Sequence, residues 1–255
     1  MNIIIKKPKQ IEKIREASKR LAFVLQEVGK MVKPGISTKE LDDYAYKLIK
    51  KGGDKPAFLN YTPGDEADSY PATLCTSVND EIVHCVPRAN KILKEGDIIS
   101  IDIGLIHDGM YSDHAITFPV GKISEKDQAL IDNTKKAMEI GIWAAHAGAT
   151  VGDIGYAIES FVHKRYGIVR ELTGHGVGVE LHEDPYIPNY GKAGKGQKLI
   201  PGMVIAIEPM LNIGGDGITG GDDEYTIKTK DGSRSAHFEH TVLITEGEAE
   251  ILTKV

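Results

Sequence analysis

Two segments of this chain occur twice in the same order, and this internal repeat is the strongest constraint on its fold. Residues 93–102 (LKEGDIISID) match residues 199–208 (LIPGMVIAIE): each has a leucine, a glycine three positions later, a β-branched run and a final acid. Residues 113–121 (DHAITFPVG) match residues 239–247 (EHTVLITEG). Two predicted helices, separated by a glycine turn, precede each copy. The pattern predicts a diverged two-fold duplication with one sheet-and-helix core and a site between the halves.

The first copy contains an acid inside an otherwise apolar strand. Isoleucines at every second position of residues 99–103 define one strand face, so Asp102 lies on the other. A carboxylate buried there without a partner would cost several kcal/mol. An Asp-Gly turn at residues 108–109 predicts a hairpin that returns Asp113 to the neighbourhood of Asp102. Taken alone, this stretch favours an ordinary strand in which Asp102 is half exposed.

The repeat reverses that interpretation, because each half supplies one acid at the end of an apolar strand and another at the start of its partner strand. The four acids are Asp102, Asp113, Glu208 and Glu239. If they converge on the pseudo-symmetry axis, they repel one another and raise each other's pKa unless cations lie among them. With one imidazole, such a set suits two divalent ions such as Mn, Fe(II), Co or Zn, bridged by shared carboxylates.

The histidine candidates come from residues 173–185, TGHGVGVELHEDP. Glycines flank His175 and allow a close backbone approach, and its coincidence with four acids favours a metal ligand. An odd spacing of seven puts His182 on the opposite face of an ideal strand, unless the glycines or a bend redirect it. His182 is therefore better interpreted as a substrate-facing residue than as a second ligand.

Periodicity and capping signals predict the elements that surround these residues. The predicted helices cover about residues 9–32, 38–51, 124–147 and 150–166. The predicted strands include residues 73–78 and residues 82–86, the second of which contains His84. A final hairpin is expected to turn at Asp231-Gly232.

Composition narrows the functional classes. A net charge of −6 argues against broad binding to nucleic acid or anionic membranes. The two cysteines, Cys75 and Cys85, give no disulfide framework and suit a reducing compartment. We find neither a signal peptide nor an apolar run long enough to span a bilayer. A cytoplasmic protein without a membrane or specific nucleic-acid partner is expected.

Five motifs in order resemble methionine aminopeptidases of the type I, bacterial-like class. They are SVNDEIVHCVP, SIDIG…YSD, GHGVG…LHEDP, IAIEPM and SAHFEHT. The resemblance spans essentially the whole chain and implies the α/β pita-bread (creatinase/aminopeptidase) fold, with pseudo-two-fold halves and a central antiparallel sheet covered by helices. Residues 1–255 would form a single catalytic domain, with halves of roughly 1–122 and 123–255. The implied metal ligands are Asp102, Asp113, His175, Glu208 and Glu239.

The resemblance also implies a reaction, in which water activated by two divalent metal ions hydrolyses the bond after an N-terminal methionine of nascent proteins and peptides. Glu208 would transfer protons, His182 would stabilise the oxyanion, and His84 would contact the scissile amide or leaving amine. The implied methionine pocket consists of Phe58, Tyr61, Tyr70, Cys75, Leu181 and Tyr225. Ordinary packing is the alternative explanation for such an aromatic cluster.

The chain departs from the family pattern around the pocket. Tyr225 and Leu181 replace common Trp and Phe, Phe58 replaces a common Cys, His237 replaces a usual Gln, and the loop at residues 62–69 is longer. The resemblance further implies a monomer that associates transiently with the ribosome. Two alternatives are a proline-specific or creatinase-like enzyme of the same fold and a metal-free binding protein. The complete ligand set argues against the second.

Overall fold

This computed structural model describes residues 2–62 and 68–254 of the chain. These residues contain four helices and fifteen strands. The helices are α1 (Pro8–Gly29), α2 (Thr38–Lys51), α3 (Glu125–Ala144) and α4 (Val151–Val162). The strands are β1 (Lys55–Pro56), β2 (Leu74–Val78), β3 (Glu81–Val83), β4 (Ile98–His107), β5 (Met110–Pro119), β6 (Gly167–Ile168), β7 (Gly174–Gly176), β8 (Glu183–Ile187), β9 (Val204–Ile207), β10 (Met210–Asn212), β11 (Ile218–Gly220), β12 (Ile227–Thr229), β13 (Ser235–His237), β14 (Glu239–Leu243) and β15 (Glu250–Ile251). None of the described helices is long and apolar enough to cross a membrane.

The predicted helices are confirmed, and their start signals explain where they begin. At α2, the Ser37 hydroxyl accepts the Glu40 N–H at 3.2 Å, and the Glu40 carboxylate accepts the Ser37 N–H at 2.8 Å. This reciprocal pair is the capping box that the sequence indicates. The fourth helix is shorter than predicted, because His163 ends it in a left-handed conformation (φ 38°).

The largest sheet is antiparallel and has the order β1-β4-β5-β14-β9-β7-β8, with β2 paired to β4 and β15 to β14. Its longest component is the predicted β4–β5 hairpin. Asp108 (φ 48°) and Gly109 (φ 79°) both have the positive φ that a type I′ turn requires. The hairpin pairs Ile101 with Ile116, which places Asp102 opposite Ala115 and Asp113 opposite Gly104.

The two halves meet where β5 pairs with β14. His114 faces His240, and these residues occupy equivalent positions of the sequence repeat. Their rings stack with centroids 4.6 Å apart and an interplanar angle of 19°. In an antiparallel pair, a residue faces its own equivalent only where a two-fold axis passes between the strands, so the pseudo-two-fold axis runs through this pair.

Each half buries a helix pair against its part of the sheet. Helices α1 and α2 pack on Ile99, Ile101 and Ile103 of β4, all fully buried. Helices α3 and α4 pack on Ile205 and Ile207 of β9. Because alternate strand residues face opposite sides, the acids of these strands lie on the side away from the helices. The fold confirms the predicted pita-bread architecture.

Two local predictions are wrong. His84 does not lie in a strand, since β3 ends at Val83 and His84 has a φ of 60°. The Asp231-Gly232 turn forms, but β12 pairs with β3 and β11 whereas β13 pairs with β10, so no hairpin results. A turn fixes the chain direction locally but not the partners of the strands that follow it. Most of the long loop predicted at 62–69, residues 63–67, lies outside the described residues.

Candidate metal centre

The four predicted acids converge from both halves of the fold. Asp102 lies on β4, Asp113 on β5, Glu239 at the first position of β14, and Glu208 directly after β9. Oxygens of Asp102, Asp113 and Glu239 lie within 4.8 Å of one another. Glu239 and Glu208 also form a second group within the same distance together with His175. Because Glu239 belongs to both groups, two adjacent cation positions could share its carboxylate.

Burial and mutual repulsion destabilise the ionised acids. Burial raises the pKa of Asp102 to about 7, and the charge of Glu208 raises it too, while His237 opposes the change. Burial also raises the pKa of Glu208 to about 7, against the effect of His175. The pKa values of Asp113 and Glu239 lie well above their ordinary values because both are buried beside the other acids. The protein alone therefore disfavours four ionised carboxylates here.

A divalent cation fits this donor set. Asp102 Oδ1 and Glu239 Oε1 are buried and have no hydrogen-bond partner among the described residues. Buried oxygens without partners are costly, and an ion is a recognised explanation for them. Four carboxylates and one imidazole also match the donors of borderline divalent metals. The residues present thus suit the ions that the sequence predicts.

His175 is held by a strand in which only glycine fits on either side. A Cβ on Gly174 would lie 2.3 Å from the Ala206 carbonyl oxygen, and one on Gly176 would lie 2.4 Å from that of Asp184. His175 Nδ1 is 2.9 Å from the Gly176 carbonyl oxygen, so Nδ1 carries the proton and donates it. Nε2 is then free as a ligand atom, and it lies 3.4 Å from Glu208 Oε1.

The structure brings His182 to the same side as His175, which sequence spacing left open. The chain bends after the short strand β7, and the two rings meet edge to face with centroids 4.4 Å apart. The Tyr61 hydroxyl is 2.7 Å from His182 Nδ1. Oxygen and nitrogen atoms of Asp113, His175 and His182 also lie within 4.8 Å, so His182 is close enough to the centre to act on a bound group.

His84 and His182 are neutral at neutral pH. Burial lowers the pKa of His84 to about 4 and that of His182 to about 3, and neighbouring imidazoles act in the same direction. Both residues nevertheless remain solvent-accessible. Each imidazole is thus surrounded by protein on most sides and open to solvent on one side, as expected for a side chain that lines a cleft. Each can donate one hydrogen bond without carrying a charge.

The six predicted pocket residues share one apolar cluster, separate from the two main cores. Its members include Phe58, Tyr70, Cys75 and Leu181, with Tyr61 and Tyr225 packed against them. Tyr70 and Tyr225 meet edge to face at 5.4 Å and 89°. Cys75 on β2 faces Asp102 on β4, and Leu181 precedes His182. The apolar cluster therefore adjoins the carboxylates.

Sequence reasoning assigned no role to one residue of the centre, His237. It is 1% exposed, its Nε2 lies 3.5 Å from Glu208 Oε2, and neither ring nitrogen has a hydrogen-bond partner within the described chain. The available signal was its position two residues before Glu239, which puts both side chains on one face of an extended segment.

A duplicated α/β fold with a largely buried carboxylate and imidazole cluster beside an apolar cluster defines a class of metal-binding protein. The chain belongs to metallopeptidase family M24, whose family model matches residues 12–246.

Methionine aminopeptidases from three organisms match this chain over their full length. The chain is 48% identical to "Methionine aminopeptidase" of Aquifex aeolicus, covering 100% of both proteins. It is 45% identical to "Methionine aminopeptidase 1" of Bacillus subtilis, over 99% of this chain and 100% of the relative. The solved structure of methionine aminopeptidase from Thermotoga maritima has a TM-score of 0.95 at 43% identity, with complete coverage of both chains. Prolidase from Pyrococcus furiosus gives 0.78 at 26% identity, and the match covers 66% of that longer chain.

Proposed function

We propose that this chain is a metal-dependent aminopeptidase that removes the N-terminal methionine from nascent proteins and peptides. The observation that carries the proposal is the largely buried cluster of four acids and His175, which lies beside an apolar cluster in a chain 45% and 48% identical to two methionine aminopeptidases. The acids and His175 would form the hydrolytic site, and the apolar cluster would receive an unbranched apolar side chain.

Asp102, Asp113, His175, Glu208 and Glu239 are the proposed metal ligands, and they would hold two divalent ions. The presence of Glu239 in both atom groups supports a shared ligand. The donors suit Co, Mn, Fe(II) or Zn. When bound, such ions lower the pKa of water toward neutrality and polarise a carbonyl oxygen.

Three side chains would handle protons and charge. Glu208, whose two carboxylate oxygens lie beside the imidazoles of His175 and His237, would take the proton of the attacking water and pass it to the leaving amine. His182 would donate a hydrogen bond to the developing oxyanion. His84, solvent-accessible and neutral, would hydrogen-bond to the scissile amide or the leaving amine.

The methionine side chain would lie in the cluster of Phe58, Tyr61, Tyr70, Cys75, Leu181 and Tyr225. Burying such a side chain contributes about 1.5–3 kcal/mol. A polarizable thioether also packs favourably against aromatic ring edges. The apolar cluster would thus give affinity for methionine while the substrate's free α-amino group stays at the centre.

The remaining features of the proposal concern the whole chain. Residues 1–255 would act as a single catalytic domain, with halves of roughly 1–122 and 123–255, as a cytoplasmic monomer. Association with the ribosome would be transient. The net charge of −6 supports the absence of a specific nucleic-acid partner.

The proposal is tested by comparing Met-Ala-Ser and Xaa-Pro peptides with and without a chelator. We expect cleavage of the methionine peptide only, lost on chelation and regained when a divalent metal is returned. Glu208→Ala and His175→Ala should abolish it, whereas the exposed His146→Ala should not. Cleavage of Xaa-Pro peptides instead would favour the proline-specific alternative, and full activity of Glu208→Ala would contradict the assignment.

A further inference from the structure

Residues 2–7 lie against the loop that carries His182, and the contact is a buried ion pair. Lys6 Nζ is 2.5 Å from Glu183 Oε2, and only 1% of either side chain is exposed. The Lys6 N–H also donates to the Gly202 carbonyl oxygen at 2.9 Å, which fixes this segment to the second half of the chain. Lysine and glutamate are almost never buried so completely unless they are paired.

Glu183 also organises the loop itself. Its Oε1 accepts the backbone N–H of Val179 at 2.6 Å and that of Glu180 at 3.0 Å. One carboxylate therefore closes residues 179–183 through one oxygen and ties them to Lys6 through the other. Hydrogen bonds to an ionised acceptor are about twice as strong as neutral ones, so this closure is a firm one.

The stem of Lys6 packs directly on the start of the same loop. A Cβ on Gly178, which has a φ of +135°, would lie 2.9 Å from Lys6 Cε and 2.7 Å from Ile14 Cδ1. At its other end the loop precedes Asp184, whose side chain accepts the Asn2 N–H at 2.6 Å. The N-terminal segment thus contacts the loop on both sides of His182.

We propose that Lys6 is a positioning residue for His182, because its buried pair with Glu183 sets where residues 179–183 hold the His182 imidazole relative to His175. The inference rests on the proposed oxyanion role of His182. Glu183 is the next residue after His182, so the backbone that carries the imidazole cannot shift without moving the buried carboxylate. A displacement of about 1 Å of a catalytic group can cost on the order of 100-fold in rate.

The test compares Lys6→Met, which keeps the stem but removes the charge, with Lys6→Arg, which keeps the charge. Zn-loaded protein with nitrogen-15-labelled histidine reports the His182 ring, identified as the signal lost in His182→Gln. The rings of Tyr61 and His175 surround that imidazole, so a small shift changes its resonances. In Lys6→Met we expect a moved His182 signal and a kcat lower by about 10–100-fold, with nearly unchanged KM and metal affinity. In Lys6→Arg we expect near-normal values.

Lys13→Met is the matched control, because Lys13 forms an exposed ion pair with Asp108 and should leave both readouts unchanged. If Lys6→Met does not fold, Lys6→Met/Glu183→Gln removes both charges and should show the same displaced signal and loss of kcat. A folded variant of either kind with a wild-type His182 signal would overturn the proposal. Because the signal is read without turnover, an inactive wild-type protein would contradict the proposed function but not this positioning.

Discussion

At the scale of single residues, Glu208 is distinguished by an imidazole beside each of its oxygens. His175 Nε2 lies 3.4 Å from Oε1, and His237 Nε2 lies 3.5 Å from Oε2. His175 has a backbone partner that orients it, whereas His237 has none among the described residues. A nitrogen buried without a partner is costly, so the arrangement is best explained by a hydrogen bond from His237 to Glu208 that tightens when the site is filled.

Replacing His237 tests this contact. We expect His237→Phe, which keeps a flat ring but removes the donor, to lower kcat by about tenfold, or ~1.4 kcal/mol. His237→Gln should retain most activity, because its amide can donate in place of the imidazole. Steady-state kinetics on the Met-Ala-Ser peptide compare kcat of the two variants. Equal activity of the Phe and Gln variants would show that the donor is unimportant.

At the scale of elements, the β4–β5 hairpin was predictable because alternation and turn chemistry are both local. The contact between the His175 and His182 rings was not predictable, since their odd spacing predicts opposite strand faces and only a bend after Gly176 brings the rings together. The predicted β12–β13 hairpin does not form because each strand pairs with strands that are distant in sequence. The repeat supplied four of the five proposed ligands because it carries long-range information. His237 lies outside the repeat, and its position two residues before Glu239 was the one local signal for it.

The short strand β7 should tolerate no side chain at Gly176. We expect Gly176→Ala to lower the melting temperature and metal affinity, because its Cβ would meet the Asp184 carbonyl oxygen at 2.4 Å and the backbone there must move. Such overpacking costs about 1–3 kcal/mol. Calorimetry and metal titration give the two readouts. Gly220→Ala is the control, since nothing lies within 4 Å of the added atom, and equal effects in both variants would contradict the argument.

At the scale of the whole molecule, the proposed metal centre would couple metal binding to the joining of the two halves. Asp102 and Asp113 come from the first half, and His175, Glu208 and Glu239 from the second. Metal binding that requires ligands from both halves would stabilise the folded chain as a unit. Without metal, the same acids oppose folding once they ionise.

The carboxyls of the centre should oppose folding more strongly as pH rises when metal is removed. The pKa values of Asp102 and Glu208 are raised to about 7 in the folded chain, so between about pH 4 and pH 7 these two groups bind more protons in the folded than in the unfolded state. Buried histidines such as His84 and His182, whose pKa values are lowered to about 4 and about 3, act in the opposite direction. The carboxyl contribution is therefore measured as a difference: in chelated protein, the melting temperature of Asp102→Asn relative to the wild type should rise with pH through this window, and added Mn should reverse that trend. A relative melting temperature that falls with pH would contradict the electrostatic account.

The pairing of His114 with His240 across the pseudo-two-fold axis indicates how the duplicated chain arose. A contact in which equivalent residues meet across a two-fold axis is isologous, the form by which two identical subunits build a symmetric dimer. Covalent fusion of such a pair removes the requirement that both copies keep one sequence. His175 comes from one half only, and a homodimer cannot encode a residue on one side of its axis without repeating it on the other.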